Sequence, residues 1–170
     1  MDIRLIRIDD RLIHGQVATT WSKSTGISRI IVVSDEVARN PLQKLLLTQA
    51  APPEVKSHVI SVDRLSDIAK HPLMHEVKVM LLFTNPTDVI RVHQYGLDFH
   101  SVNIGGMKFA EGKQMVTHFV SVDRSDIDAF KYLDGKGIEL EIRKVPGDRP
   151  QDMMDVLGKG NFLEKYQKKK

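Results

Sequence analysis

Apolar runs of strand length alternate with helical patterns from one end of this chain to the other. The runs span residues 3–8, 29–34, 58–62, 77–83, 101–104, 117–122 and 138–142. The second run is β-branched throughout its core, IIVV at 30–33, which is typical of a parallel strand buried on both faces. Six or seven such strands alternating with helices predict a three-layer α/β/α fold around a mostly parallel, twisted sheet.

Helix starts are marked by short polar signals. Asn40-Pro41 and Asn85-Pro86 each place an N-cap residue before a proline at the first helical position. The sequence SVDR occurs at 61–64 and again at 121–124, so Asp63 and Asp123 are each expected to cap a helix.

Two further expectations concern packing. The run 77–83 is the most apolar and is therefore expected near the centre of the sheet. The helix after Pro41 is expected to bury Leu42, Leu45 and Leu46 on its inner face.

The chain length and the composition favour one soluble domain spanning 1–170, with a loosely attached basic tail at about 160–170. The absence of cysteine excludes disulfides, thiolate catalysis and Cys-based metal sites. No apolar run approaches the roughly 18 residues that a membrane span needs. The net charge of +3 comes without a basic stripe, so no nucleic-acid partner is expected.

The junction after the first strand carries the most suggestive chemistry. Asp9, Asp10 and Arg11 follow the strand directly. His14 then lies where a helix begins, and Gly15 allows a close backbone approach. A histidine at a helix N-terminus near an arginine suits a phosphoryl group, because the exposed amides and the guanidinium both attract an anion.

Ligands of such sheets bind beyond the carboxyl ends of the strands. The loop ends expected there are 9–14, 34–35, Asp63, 84–85 and 103–107.

Two other interpretations remain open on the residues alone. In a receiver-type signalling domain, Asp9 and Asp10 would hold Mg²⁺, Asp63 would be phosphorylated, and Lys108 would follow the fifth strand. That interpretation assigns no role to Arg11 and His14. The second alternative is a non-catalytic module that binds phosphate or sugar.

The segment RIDDRLIHGQV at 7–17 resembles the active-site signature of the IIB components of the mannose-fructose-sorbose family of the bacterial phosphotransferase system. The likeness covers nearly the whole chain and is closest to mannose-type IIB domains. Its further segments are IIVVSDEV (30–37), LLLTQAAPP (45–53), LLFTNPTDV (81–89), SVNIGGM (101–107), VSVD (120–123) and GIELEIRKV (137–145).

The resemblance implies that Nδ1 of His14 takes a phosphoryl group from a IIA component. His14 would pass it to a hexose held by the membrane components IIC and IID, at the cytoplasmic face of the membrane. Mannose is the leading candidate, with fructose, sorbose and amino sugars as others. Arg11 corresponds to an arginine that stabilises the phosphoryl group, and Asp9 to an acid beside it. The oligomeric state, a homo-oligomer included, stays open.

No metal or cofactor is expected, because Arg11 and loop amides near Gly15 supply positive charge. Thr84 and the pair Gly105-Gly106 are expected to flank the phosphate pocket, the glycines by letting a partner approach.

Overall fold

The computed structural model describes residues 1–165, in which it has nine strands and eight α-helices. The strands are β1 (Asp2–Asp9), β2 (Arg29–Val33), β3 (Lys56–Ile60), β4 (Lys78–Phe83), β5 (Ser101–Gly106), β6 (Gln114–Thr117), β7 (Val120–Val122), β8 (Glu139–Ile142) and β9 (Gln151–Asp152). The helices are α1 (Gly15–Thr25), α2 (Asp35–Ala38), α3 (Pro41–Gln49), α4 (Val62–Ala69), α5 (Pro86–Gln94), α6 (Arg124–Gly135), α7 (Met153–Lys159) and α8 (Phe162–Lys165).

Seven strands form one sheet in the order β3-β2-β4-β1-β5-β8-β9. All neighbours in it are parallel except β9, which runs antiparallel to β8. This confirms the predicted mostly parallel sheet, with the apolar strand β4 directly beside the central β1. The prediction of one strand at 117–122 is wrong. That segment contributes to an antiparallel pair, β6 and β7, which turns where Phe119 N donates to Thr117 Oγ1.

Helices cover both faces of the sheet, as predicted. Neighbouring residues of a strand point to opposite faces. On the first face, strand residues pack with α1, α2 and α3, the buried set including Ile30, Val32, Met80, Leu82, Trp21, Val37 and Leu47. On the second, they pack with α4, α5, α6 and α7, the buried set including Ile31, Val33, Leu81, Leu65, Val89, Phe130 and Leu157.

The predicted inner face of α3 is wrong. Leu42, Leu45 and Leu46 are more than half exposed, and Leu47 is buried instead. Ser57 Oγ donates to the carbonyl of Thr48, which fixes this helix against β3 with a different stripe inward. Four leucines in six positions cover too much of the helix for periodicity to select one face.

The helix caps at Asn40, Asn85 and Asp123 are confirmed, the last as a full capping box. The cap expected at Asp63 is wrong, because Ser61 is the N-cap residue of α4. The amide of Val62 donates instead to Asp35 Oδ1 at the start of α2.

The end of the chain differs from the expected loose tail at 160–170. Phe162 and Leu163 pack against the core of the second face. Residues 166–170, with most of the basic tail, lie outside the described residues. Within the described residues, the helices are too short or too polar to cross a bilayer.

Candidate active site

The candidate site lies where the chain changes direction across the sheet. The connection after β1 passes over the first face and leads to β2, whereas the connection after β5 passes over the second face and leads to β8. Connections that diverge in this way open a crevice at the carboxyl ends of the two strands. Asp9 at the end of β1 is paired there with Gly106 at the end of β5.

The loop from Asp9 to His14 is a tight turn fixed at both ends. Leu12 N donates to the carbonyl of Asp9, and Leu12 takes a left-handed conformation with φ 61°. This conformation costs a non-glycine residue about 1–2 kcal/mol. Burial of the Leu12 and Ile13 side chains in the core offsets that cost. Asp10 Oδ2 accepts from Lys108 N at 2.8 Å and ties the loop to the segment after β5.

The Asp9 carboxylate is the centre of the site and is fully buried. Its Oδ2 accepts from Arg7 Nη2 at 2.8 Å and from Arg11 Nη2 at 3.3 Å, and lies 3.2 Å from Nε2 of His14. Its Oδ1 accepts from the backbone N and from Nε of Arg11, both at 3.2 Å. One acid therefore joins two arginines and the histidine.

Burial by itself raises the pKa of Asp9. The hydrogen bond from Arg11, the charge of Arg7 and the hydrogen bond from His14 outweigh it and hold the pKa below its usual range. Asp9 is thus ionised at neutral pH, and an ionised carboxylate only accepts hydrogen bonds. His14 Nε2 therefore carries a proton in this contact, and in the neutral imidazole the lone pair is then on Nδ1.

His14 is the N-cap residue of α1, but its imidazole turns to Asp9 and not to the helix amides. Its side chain is 26% exposed, so the ring is reachable from solvent. Gly15 follows with φ 43°, a conformation that favours glycine, and opens the first turn of the helix. The amides of this turn give a positive end beside the imidazole.

Arg11 is the exposed arginine of the pair, with 44% of its side chain accessible. Its Nε donates to Asp9 Oδ1 and its Nη2 donates to Asp9 Oδ2. The planar guanidinium then directs its Nη1–Nη2 edge away from that carboxylate. This second edge is suited to two parallel hydrogen bonds with a phosphoryl group.

Arg7 is a further residue of this site, and sequence reasoning did not single it out. It is 1% exposed and donates to Asp9, to the side chain of Asn103 and to the carbonyl of Arg143. Its guanidinium also lies 5.4 Å from the ring centre of Trp21 on α1. The sequence did indicate a contact between Arg7 and Asp9, because residues two positions apart on a strand lie on the same face of the sheet.

The residues expected to flank the pocket lie in different surroundings. Gly106 faces the site, where an added Cβ would lie 3.1 Å from Asp9 Oδ1. Gly105 has no room for a partner, because the Arg7 guanidinium fills the space beside it. Thr84 follows Phe83, the partner of Ile8 in β4, at the level of Asp9. Its Oγ1 accepts from Asn85 Nδ2.

The receiver alternative does not fit this geometry. Asp63 follows the edge strand β3, which is separated from β1 by β2 and β4. Three strand spacings place those ends about 14 Å apart, too far for a shared ion. Asp63 instead lies within 3.5 Å of Arg91. Among the described residues, no cluster of three or more His, Asp or Glu side chains could hold a metal.

The lowered pKa of Asp9 predicts a pH dependence of stability. A carboxyl whose pKa is depressed by folding contributes stability above its unfolded value of about 3.9 and loses it as pH falls through the folded value. We therefore expect the stability difference between wild type and Asp9→Asn, measured by urea unfolding, to be constant near neutral pH and to shrink below about pH 4. Asp128→Asn, at a 60% exposed side chain, is the control. A difference that stays constant to pH 2 would contradict the ion pairing of Asp9.

Comparison with known proteins identifies the family and the fold. The family model described as PTS system sorbose subfamily IIB component matches residues 3–168. The mannose-specific EIIAB component of Escherichia coli K12 is 56% identical over 159 residues, which are 94% of this chain and 49% of that protein. The chain thus spans about half the length of these relatives.

Relatives of similar length are also found. The sorbose-specific EIIB component of Klebsiella pneumoniae is 42% identical over 96% of this chain and 100% of its own length. The crystal structure of the IIBSor domain of the sorbose permease from that organism matches with a TM-score of 0.91 and 42% identity, over 94% of this chain and 98% of that one. This chain belongs to the sorbose subfamily of the IIB components of the phosphotransferase system.

Proposed function

We propose that this IIB component carries a phosphoryl group on Nδ1 of His14 between a IIA component and a hexose. The observation that carries the proposal is the contact of His14 Nε2 with the ionised, fully buried Asp9. This contact occupies one ring nitrogen and leaves the lone pair on the other. His14 is partly exposed at the mouth of the crevice, where a second protein can reach it.

The first step needs no acid or base. The Nδ1 lone pair of His14 attacks phosphorus, the phosphorus–nitrogen bond of the donor phosphohistidine breaks, and its electron pair returns to the donor nitrogen. Because Nε2 keeps its proton, the phosphorylated ring carries a positive charge beside Asp9. Positioning and charge neutralisation supply most of the catalysis of phosphoryl transfer. Arg11 and the amides at the start of α1 provide the positive charge.

The second step passes the group to a sugar. A sugar hydroxyl oxygen attacks phosphorus, and the electron pair of the breaking bond returns to Nδ1. The hydroxyl proton goes to a base at the sugar site, which the membrane components IIC and IID hold. The relatives named above are specific for mannose or sorbose, and the higher identity favours mannose. Uptake by cells that carry defined IIC and IID pairs would identify the sugar.

The test is phosphorylation of the whole chain. Labelled phosphoenolpyruvate, the upstream phosphotransferase proteins and a IIA component should give a label that is lost in acid and kept in alkali. Peptide mapping should place it on His14. A protein that binds phosphate or sugar without taking up any covalent label would be a non-catalytic module, and the proposal would be wrong.

Arg11→Lys tests the second edge of the guanidinium. Lysine keeps the charge but loses the planar fork, so it can grip neither Asp9 nor a phosphoryl group with two parallel bonds. We expect transfer from phospho-IIA, measured by rapid quench, to slow by about 10- to 100-fold while the fold stays intact.

Arg124→Lys is the matched control for this change. Arg124 is about half exposed and makes a surface pair with Asp128 at 3.8 Å. Its replacement should leave the transfer rate unchanged. Wild-type kinetics in Arg11→Lys itself would show that the fork has no part in transfer.

A further inference from the structure

The buried Arg7 does not face the crevice, but its contacts with Asp9 bear on the phosphorylation of His14. We propose that Arg7, seated by Asn103, is a positioning residue that decides which nitrogen of His14 is phosphorylated. The inference rests on the proposed function, since it concerns the regiochemistry of the same transfer.

Arg7 is the rigid member of the pair that holds Asp9. It is 1% exposed and fixed by three partners, whereas the side chain of Arg11 is 44% exposed. Its bond to Asp9 Oδ2, at 2.8 Å, is also shorter than the bonds from Arg11 at 3.2 and 3.3 Å. Because Arg11 also presents its second edge to an incoming phosphoryl group, Arg7 is the arginine whose charge is given to Asp9 alone.

The space that holds the Arg7 guanidinium, called its seat below, is formed by residues from distant parts of the chain. Asn103 on β5 accepts from Arg7 Nη1, and its own Nδ2 donates to Glu141 Oε1 at 3.2 Å and to the carbonyl of Arg143 at 3.1 Å. The missing side chain at Gly105 leaves the space that the guanidinium fills. This arrangement allows Arg7 one position, which sets the plane of the Asp9 carboxylate.

The orientation of that carboxylate fixes the imidazole. Asp9 Oδ2 receives His14 Nε2 as long as the carboxylate is ionised and held. Without Arg7 a buried carboxylate has lost its main counter-charge, and it either turns or takes up a proton. A protonated carboxyl can donate as well as accept. Either nitrogen of His14 can then keep the lone pair, and phosphorylation is no longer confined to Nδ1.

The experiment compares Arg7→Met and Asn103→Ala with wild type. Nitrogen-15 NMR of the histidine side chains reports the tautomer of unphosphorylated His14, and the same spectra after phosphorylation distinguish the Nδ1 product from the Nε2 product. Wild type should show the Nε2–H tautomer and a single product on Nδ1. We expect both tautomers and both products in Arg7→Met, with transfer about 100-fold slower, and a smaller change in Asn103→Ala.

Arg4→Met is the matched control, since it removes a guanidinium from the same strand that pairs with Asp2 and not with Asp9. It should keep the tautomer and the single product. A pure Nδ1 product in folded Arg7→Met would overturn the inference, and if that variant does not fold, a pure Nδ1 product in Asn103→Ala would do so. Wild type that takes no phosphate on His14 would instead overturn the proposed function.

Discussion

A His14→Ala variant is expected to accept no phosphoryl group from phospho-IIA. The methyl group has no lone pair to offer, and no neighbouring side chain can replace it, because Asp9 is buried and bound to Arg7 and Arg11. The loss should reach at least 1,000-fold, which corresponds to about 4 kcal/mol of barrier. Quantitative labelling from phosphoenolpyruvate through the upstream proteins measures it.

The fold should survive this substitution. Removing His14 leaves Asp9 with both arginines, so the buried charge keeps its partners. An unchanged melting temperature would separate lost chemistry from lost structure.

His100→Ala provides the matched control. His100 is exposed and directly precedes β5. It therefore lies near the amino-terminal ends of the parallel strands, whereas His14 lies near their carboxyl ends. Its replacement should leave labelling intact. Retention of label in His14→Ala, or its loss in His100→Ala, would show that the phosphoryl group travels by another residue.

The fold was predictable where one physical signal dominates. Six runs of apolar residues became strands of the main sheet, as expected for runs of strand length that alternate with helical patterns. The β6–β7 turn was missed because positions 117–120 hold no glycine or proline to mark it. The orientation of α3 depended on how the helix meets β3, which no local pattern contains.

The candidate site was also predictable only in part. Asp9, Arg11 and His14 lie within six residues, so the sequence alone could place them together. Asn103 and Arg143 reach Arg7 from positions 96 and 136 residues away. Such contacts follow from the order of strands in the sheet, and a single sequence does not specify that order.

Gly105→Ala is expected to destabilise the protein by about 4 kcal/mol. Gly105 lies in β5, so alanine suits its backbone, but the added Cβ would overlap the Arg7 guanidinium. Asn103 and Asp9 hold that guanidinium on its other sides, so it must leave its seat. Asp9 then stays buried without its main counter-charge. Urea unfolding at pH 7 measures the loss.

Two comparisons test whether this cost arises through Arg7. Gly135→Ala adds the same methyl group in α6, where a Cβ meets no atom within 4 Å, and should leave stability unchanged or raise it slightly. In a double-mutant cycle with Arg7→Met, the second substitution should cost much less than it does alone, because both changes break the same Arg7–Asp9 pair. Additive costs would mean that the methyl group acts on another neighbour, and Gly105 would then have no part in seating Arg7.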